Sequence, residues 1–121
     1  MRPYERFTAW QLAHRLAIDV HHATAHWPKR EWYGLAAQVR RASVSVSSNI
    51  VEGSAKRGRA EFRRSVDIAI GSLAETEYQL RVARELRFMT EEQWRTLDSL
   101  ISELGKCLHG LSRSLRPPPL P

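Results

Sequence analysis

Residues 89–115 read MTEEQWRTLDSLISELGKCLHGLSRSL, and this stretch decides the fold. Thr90, Glu91, Glu92 and Gln93 form a capping box, in which the threonine hydroxyl accepts from the amide three residues on and the glutamine side chain reaches back. Met89 and Trp94 stand at the two positions of a hydrophobic staple. From there Trp94, Leu97, Ile101, Leu104, Leu108, Leu111 and Leu115 recur in alternating steps of three and four, the period of one helical face. A helix over 91–115 with a single apolar face has to bury it against other helices. Arg116-Pro117-Pro118-Pro119-Leu120-Pro121 ends the helix and predicts a stiff, disordered tail over 116–121.

Working back along the chain, the same period predicts three more helices. Phe62, Val66, Ala69, Leu73, Thr76, Leu80 and Ala83 mark one over 59–87, with Gly58 as N-cap and Glu61 in the first turn, where a carboxylate suits the helix dipole. Arg84 and Arg87 suit its C-terminal end, and Gly71-Ser72 offers a point of close contact midway. Ala36, Val39, Ser43, Val46, Ile50 and Gly53 mark a helix over 33–53 whose seam is unusually small, with Gly53 as its stop. Ser45, Ser47 and Ser48 are poor interior helix formers, so packing has to supply what propensity does not. Ala9, Ala13, Leu16, Val20, Ala23 and Trp27 mark a helix over 8–26, with Thr8 as N-cap and Pro28 as terminator. Short connections make sequential helices antiparallel. The expectation is therefore one all-α domain over 1–115, an antiparallel up-down-up-down four-helix bundle.

The totals agree with a single globular domain: 42% hydrophobic and 26% charged residues in a chain of 121. No apolar run approaches the roughly 18–20 residues of a membrane span. The N-terminal Met1-Arg2-Pro3-Tyr4-Glu5-Arg6 lacks the apolar stretch of a signal peptide, so no membrane contact and a cytoplasmic location are expected. A single cysteine, Cys107, fits a reducing compartment and reads as a small core residue. Nineteen Lys and Arg against thirteen Asp and Glu leave a net charge of +6 and a pI near 10.2. Such a chain attracts polyanions, nucleic acid above all.

The densest cationic cluster is Lys56, Arg57, Arg59, Arg63 and Arg64, spanning the loop into the third helix and its first turns. It is the first candidate for a phosphate contact, because free amides at a helix N-terminus already favour an anion. The competing reading is a solvated face partly neutralised by Glu61 and Asp67. Arg40 and Arg41, midway along the second helix, either bind nucleic acid or pair with Glu52, Glu75 or Glu77 at a helix or subunit contact. Asn49 and Glu52 read as polar pairing that fixes register, since no nucleophile or histidine stands beside them.

Other chemistries find less. Gly53 to Ala60 has the glycine spacing of a phosphate-binding loop, but Arg59-Ala60 replaces Lys followed by Ser or Thr, and a helix precedes it. His22 and His26 have the spacing to share a metal on one helical face without a third ligand nearby. No Glu-x-x-His pair supports a di-iron site, and the serine run has no assigned base. Trp10, Trp32 and Tyr33 either stack on bases or seal a core or subunit interface. No catalytic residue, metal or cofactor is expected.

The stretch from Gln38 to Gly53, QVRRASVSVSSNIVEG, resembles the signature of a bacterial family of four-helix proteins encoded within intervening sequences of 23S rRNA genes. These are often described as a ribosomal protein or as four helix bundle protein. Glu61-Phe62, Ile68 to Glu75 and Glu77 to Leu80 resemble its second block, and Trp10-Gln11 and Tyr33-Gly34-Leu35 extend the likeness to about Phe7–Leu115. Departures fall at Ser47, where the family usually has Pro, and at Val51, Gly58 and Thr76, where it usually has Ala, Ser and Leu. The resemblance implies an antiparallel four-helix bundle assembled as a homopentamer, with no known catalytic activity. The accessory variability proteins of diversity-generating retroelements are similar in fold and bind nucleic acid and a reverse transcriptase. Charge and resemblance together give the expected function: a non-enzymatic, basic, homo-oligomeric protein that binds RNA or DNA phosphates, or alternatively a protein-protein interaction scaffold.

Overall fold

The computed structural model describes residues 1–121 and contains four α-helices and no strand. These are α1 (Thr8–Thr24), α2 (Leu35–Ser54), α3 (Arg59–Glu85) and α4 (Glu91–Ser114), with short 3-10 turns at Pro3–Arg6 and Lys29–Glu31. Each helix packs against its neighbours in sequence, α4 closes back onto α1, and the backbones of the diagonal pairs stay apart across the core. The ring of contacts is that of an up-down-up-down four-helix bundle.

The seams meet as a continuous core. Leu16 and Val20 of α1, Val39, Val46 and Ile50 of α2, Val66 and Leu80 of α3, and Leu104 and Leu108 of α4 are fully buried. Each such side chain contributes about 1.5–3 kcal/mol of transfer free energy. The α2–α3 interface is the most extensive of the four. Its small seam is why: Gly53 lies so close to α3 that a Cβ there would come within 2.8 Å of both the Phe62 ring and Ser65 Cβ. The serines of α2 satisfy themselves locally, Ser43, Ser47 and Ser54 each donating to the carbonyl three residues back. Ser45 alone reaches across, its Oγ 2.9 Å from Ser72 Oγ on α3.

Several helix ends differ from the sequence expectation, each for a local reason. Thr8 is the first residue of α1 and Phe7 holds the cap position, without a side-chain hydrogen bond. At the other end Thr24 is the last helical residue, its hydroxyl donating 2.8 Å to the Val20 carbonyl. Trp27 has left the helix and is nevertheless buried, its ring 5.7 Å from that of Phe88. Gly53 does not stop α2, which runs on through Ser54 with no positive φ at any glycine; the glycine serves close approach, not termination. Gly71 is not a contact point, because nothing lies within 4 Å of where its Cβ would be, and Ser72 makes the contact instead. Cys107 is half-buried and packs against the core.

The α3–α4 corner is closed at both caps. Arg87, the only non-glycine residue with positive φ (62°), lets the Phe88 amide donate to Ala83 O at 3.0 Å and the Arg87 amide to Arg84 O at 2.9 Å. This is a Schellman termination with arginine where glycine is usual. Thr90 then caps α4: its hydroxyl accepts from the Gln93 amide at 3.1 Å while Gln93 Oε1 accepts from the Thr90 amide at 2.9 Å. Between the caps, Arg84 holds Glu91 through two hydrogen bonds, of 3.1 and 2.8 Å, and lies 5.0 Å over the Trp94 ring.

Candidate nucleic-acid interface

Antiparallel alternation brings the start of α1, the end of α2, the start of α3 and the end of α4 to one end of the bundle. Phe7 meets Phe62 edge-on at 5.4 Å, and Gly53 lies against Phe62 and Ser65. Ser112 Oγ of α4 donates to Asp67 Oδ1 of α3 at 2.8 Å, and the Arg59 guanidinium donates to the Ser114 carbonyl. The last contact places a cation on a carbonyl that the end of a helix leaves without an intrahelical partner.

Residues 1–8, 52–67 and 113–121 make up this end. They carry nine cations, Arg2, Arg6, Lys56, Arg57, Arg59, Arg63, Arg64, Arg113 and Arg116, against four carboxylates, Glu5, Glu52, Glu61 and Asp67. The end thus holds +5 of the molecule's +6, and the rest of the bundle is close to neutral. All five residues of the sequence-derived cluster lie here. Lys56 is engaged by Glu52 at 3.8 Å, an exposed pair one helical turn apart. Arg63 is half-buried, its Nε shielded from solvent, without a hydrogen bond, and 4.0 Å from Asp67. Arg57 and Arg64 are exposed and make no ion pair or side-chain hydrogen bond, so their donors are free for a ligand.

Arg59, Arg63, Arg64 and Ile68 of α3 border a groove of about 640 Å³ between α3 and the end of α4, whose other wall is Leu115, Pro117 and Pro118. The tail, without regular secondary structure from Pro117 on, therefore helps to shape the basic end.

The six residues assigned to a polar network do not converge within the chain. Arg40 points to α1, its Nε donating to Thr24 Oγ1 at 2.7 Å, rather than to any of the three glutamates. Arg41 and Glu75 border a shallow recess of about 230 Å³ on the outer α2–α3 face, and Glu75 accepts from Gln79 Nε2 at 3.1 Å. Asn49 donates to the Ser45 carbonyl at 2.8 Å and so supports the Ser45–Ser72 contact. Glu52 is exposed beside Lys56, and Glu77 is half-buried near Lys106 and His109. No three His, Cys, Asp or Glu side chains are placed to hold a metal ion, and no helix is long and apolar enough to cross a membrane.

Reading the chain linearly missed Arg2, Arg6, Arg113 and Arg116, which join the cluster only through helix alternation. The signal was present: in an up-down-up-down bundle the first and third helix starts share an end with the second and fourth helix stops.

A family model described as 23S rRNA-intervening sequence protein matches residues 5–110. The chain belongs to this family. Among solved structures, it is similar to a protein of unknown function from the S23 ribosomal protein family of Bacteroides thetaiotaomicron VPI-5482. The two superpose with a TM-score of 0.79 at 21% identity, over 88% of this chain and 99% of the other, a likeness of fold alone. None of the curated proteins compared with this family member matches it.

Proposed function

We propose that this member of the 23S rRNA-intervening sequence protein family is a non-enzymatic, homo-oligomeric accessory factor of the cytoplasm that binds nucleic-acid phosphates with the basic end of its bundle. The observation that carries the reading is the segregation of charge: +5 of +6 at one end, with Arg57 and Arg64 free of intramolecular partners. A solvated face has no need to gather cations from three separate segments, since like charges brought together repel. Cations at the start of α3 also oppose its dipole, a cost that an anionic ligand would reverse.

The test is fluorescence anisotropy of labelled RNA and duplex DNA over a salt series, with wild type and the double variant Arg57→Glu, Arg64→Glu. Both side chains are exposed and unpaired, so the variant keeps its fold. The logarithm of affinity should fall with log salt by about 0.9 for each duplex phosphate contact, and the variant should bind at least tenfold more weakly. Absence of binding at low salt overturns the reading.

A second reading, a protein-interaction scaffold, is favoured by apolar residues exposed away from the basic end: Tyr33 (95%), Tyr78 (65%) and Val44 (41%). Light scattering on the purified protein gives the subunit number, for which the resemblance suggests five.

A further inference from the structure

Resting on the nucleic-acid reading above, we propose that the groove between α3 and the end of α4 seats an unpaired nucleotide, so that the ligand is single-stranded nucleic acid and not a duplex. Its two walls differ in chemistry. Arg59, Arg63 and Arg64 line one side against a single carboxylate, Asp67, which leaves an excess of two positive charges. Asp67 is itself held by Ser112 at 2.8 Å and lies 4.0 Å from Arg63, so it braces that guanidinium.

The opposite wall is Leu115, Pro117 and Pro118, and Ile68 adds an apolar patch to the α3 side. Ile68 is 49% exposed one helical turn beyond Arg64, an apolar side chain facing a polyanion site. Duplex phosphates give such a wall nothing to bind, because the base faces are stacked inside the helix. An unpaired nucleotide carries both complements in one residue: a phosphate for the guanidiniums and a flat base for the aliphatic and proline surface. The volume, about 640 Å³, falls within the roughly 300–1,000 Å³ of small-molecule sites, so one nucleotide fits. A purely acidic chain such as polyglutamate would satisfy the arginines but carries no aromatic ring for the proline wall.

Three labelled oligonucleotides of equal phosphate count separate the possibilities: an unpaired RNA strand, the same strand with its bases removed, and a duplex hairpin. Their affinities are compared at one salt concentration for wild type, for Ile68→Gln, and for the chain lacking residues 117–121. The expected result is that the unpaired strand binds about tenfold more tightly than the abasic one, the size of a single stacked base, and more tightly than the duplex. Both variants should bring the ratio of base-bearing to abasic affinity towards one. Equal binding of base-bearing and abasic strands, tighter binding of the duplex, or a ratio that survives in both variants overturns this inference and leaves the phosphate-binding end intact. Failure to bind any of the three overturns both, and displacement of the RNA by polyglutamate at equal charge overturns the preference for a base.

Discussion

At the scale of single residues, two helical glycines, one buried near the end of α2 and one exposed midway along α3, have opposite work. Gly53 has no room for a Cβ, which would stand 2.8 Å from Phe62 and Ser65, whereas Gly71 is exposed with nothing within 4 Å. Gly53→Ala forces α2 and α3 apart and costs about 1–3 kcal/mol in overpacking, more than the roughly 1 kcal/mol that alanine returns in helix propensity. Gly71→Ala gains the propensity without the clash and stabilises by about 0.5–1 kcal/mol. Urea denaturation of the two variants should therefore move the midpoint in opposite directions. Arg87 carries the remaining backbone strain, in the left-handed region at φ 62°. Arg87→Gly should stabilise by about 1 kcal/mol and raise Tm by a few degrees; an unchanged or lower Tm would mean that the arginine side chain offsets the strain. In the sequence, Arg87 signals only a cation near a helix end, since a Schellman turn without glycine leaves no compositional mark.

At the scale of elements, the Arg84–Glu91 link joins the end of α3 to the start of α4. The hydrogen bonds from Arg84, foremost, and its charge hold the Glu91 carboxyl below the ordinary carboxylate range, and raise the Arg84 guanidinium in return. A depressed carboxyl stabilises the fold above its unfolded pKa, and the contribution is lost as pH falls through the folded value. Glu91→Gln should thus lower Tm at neutral pH, with the gap from wild type closing as the solution is acidified through the carboxylate range. A gap independent of pH would show that the glutamate acts by shape and not by charge. The elements themselves were legible because each seam keeps its period and Thr90-Glu91-Glu92-Gln93 specifies a start. What stayed illegible was tertiary: Arg40 finds Thr24, a neutral hydroxyl on another helix, and no spacing rule within α2 predicts that partner.

At the scale of the whole molecule, alternation of four helices decides where charge goes. Five members of the basic end form a run readable in the sequence; Arg2, Arg6, Arg113 and Arg116 reach it only through topology, and the groove requires the tail to lie beside α3. The lopsided charge also bears on how copies meet. In any ring of copies about an axis along the bundle, equivalent ends share one rim, so every added subunit brings five more positive charges next to the last. Self-assembly then works against its own electrostatics unless counterions or a polyanion neutralise the rim. For the proposed assembly, salt should tighten association between subunits while loosening the proposed grip on nucleic acid, two opposite slopes measurable by sedimentation and anisotropy on the same sample. A nucleic acid long enough to cross several subunits would act as the missing counterion, making ligand and ring each the condition of the other's stability.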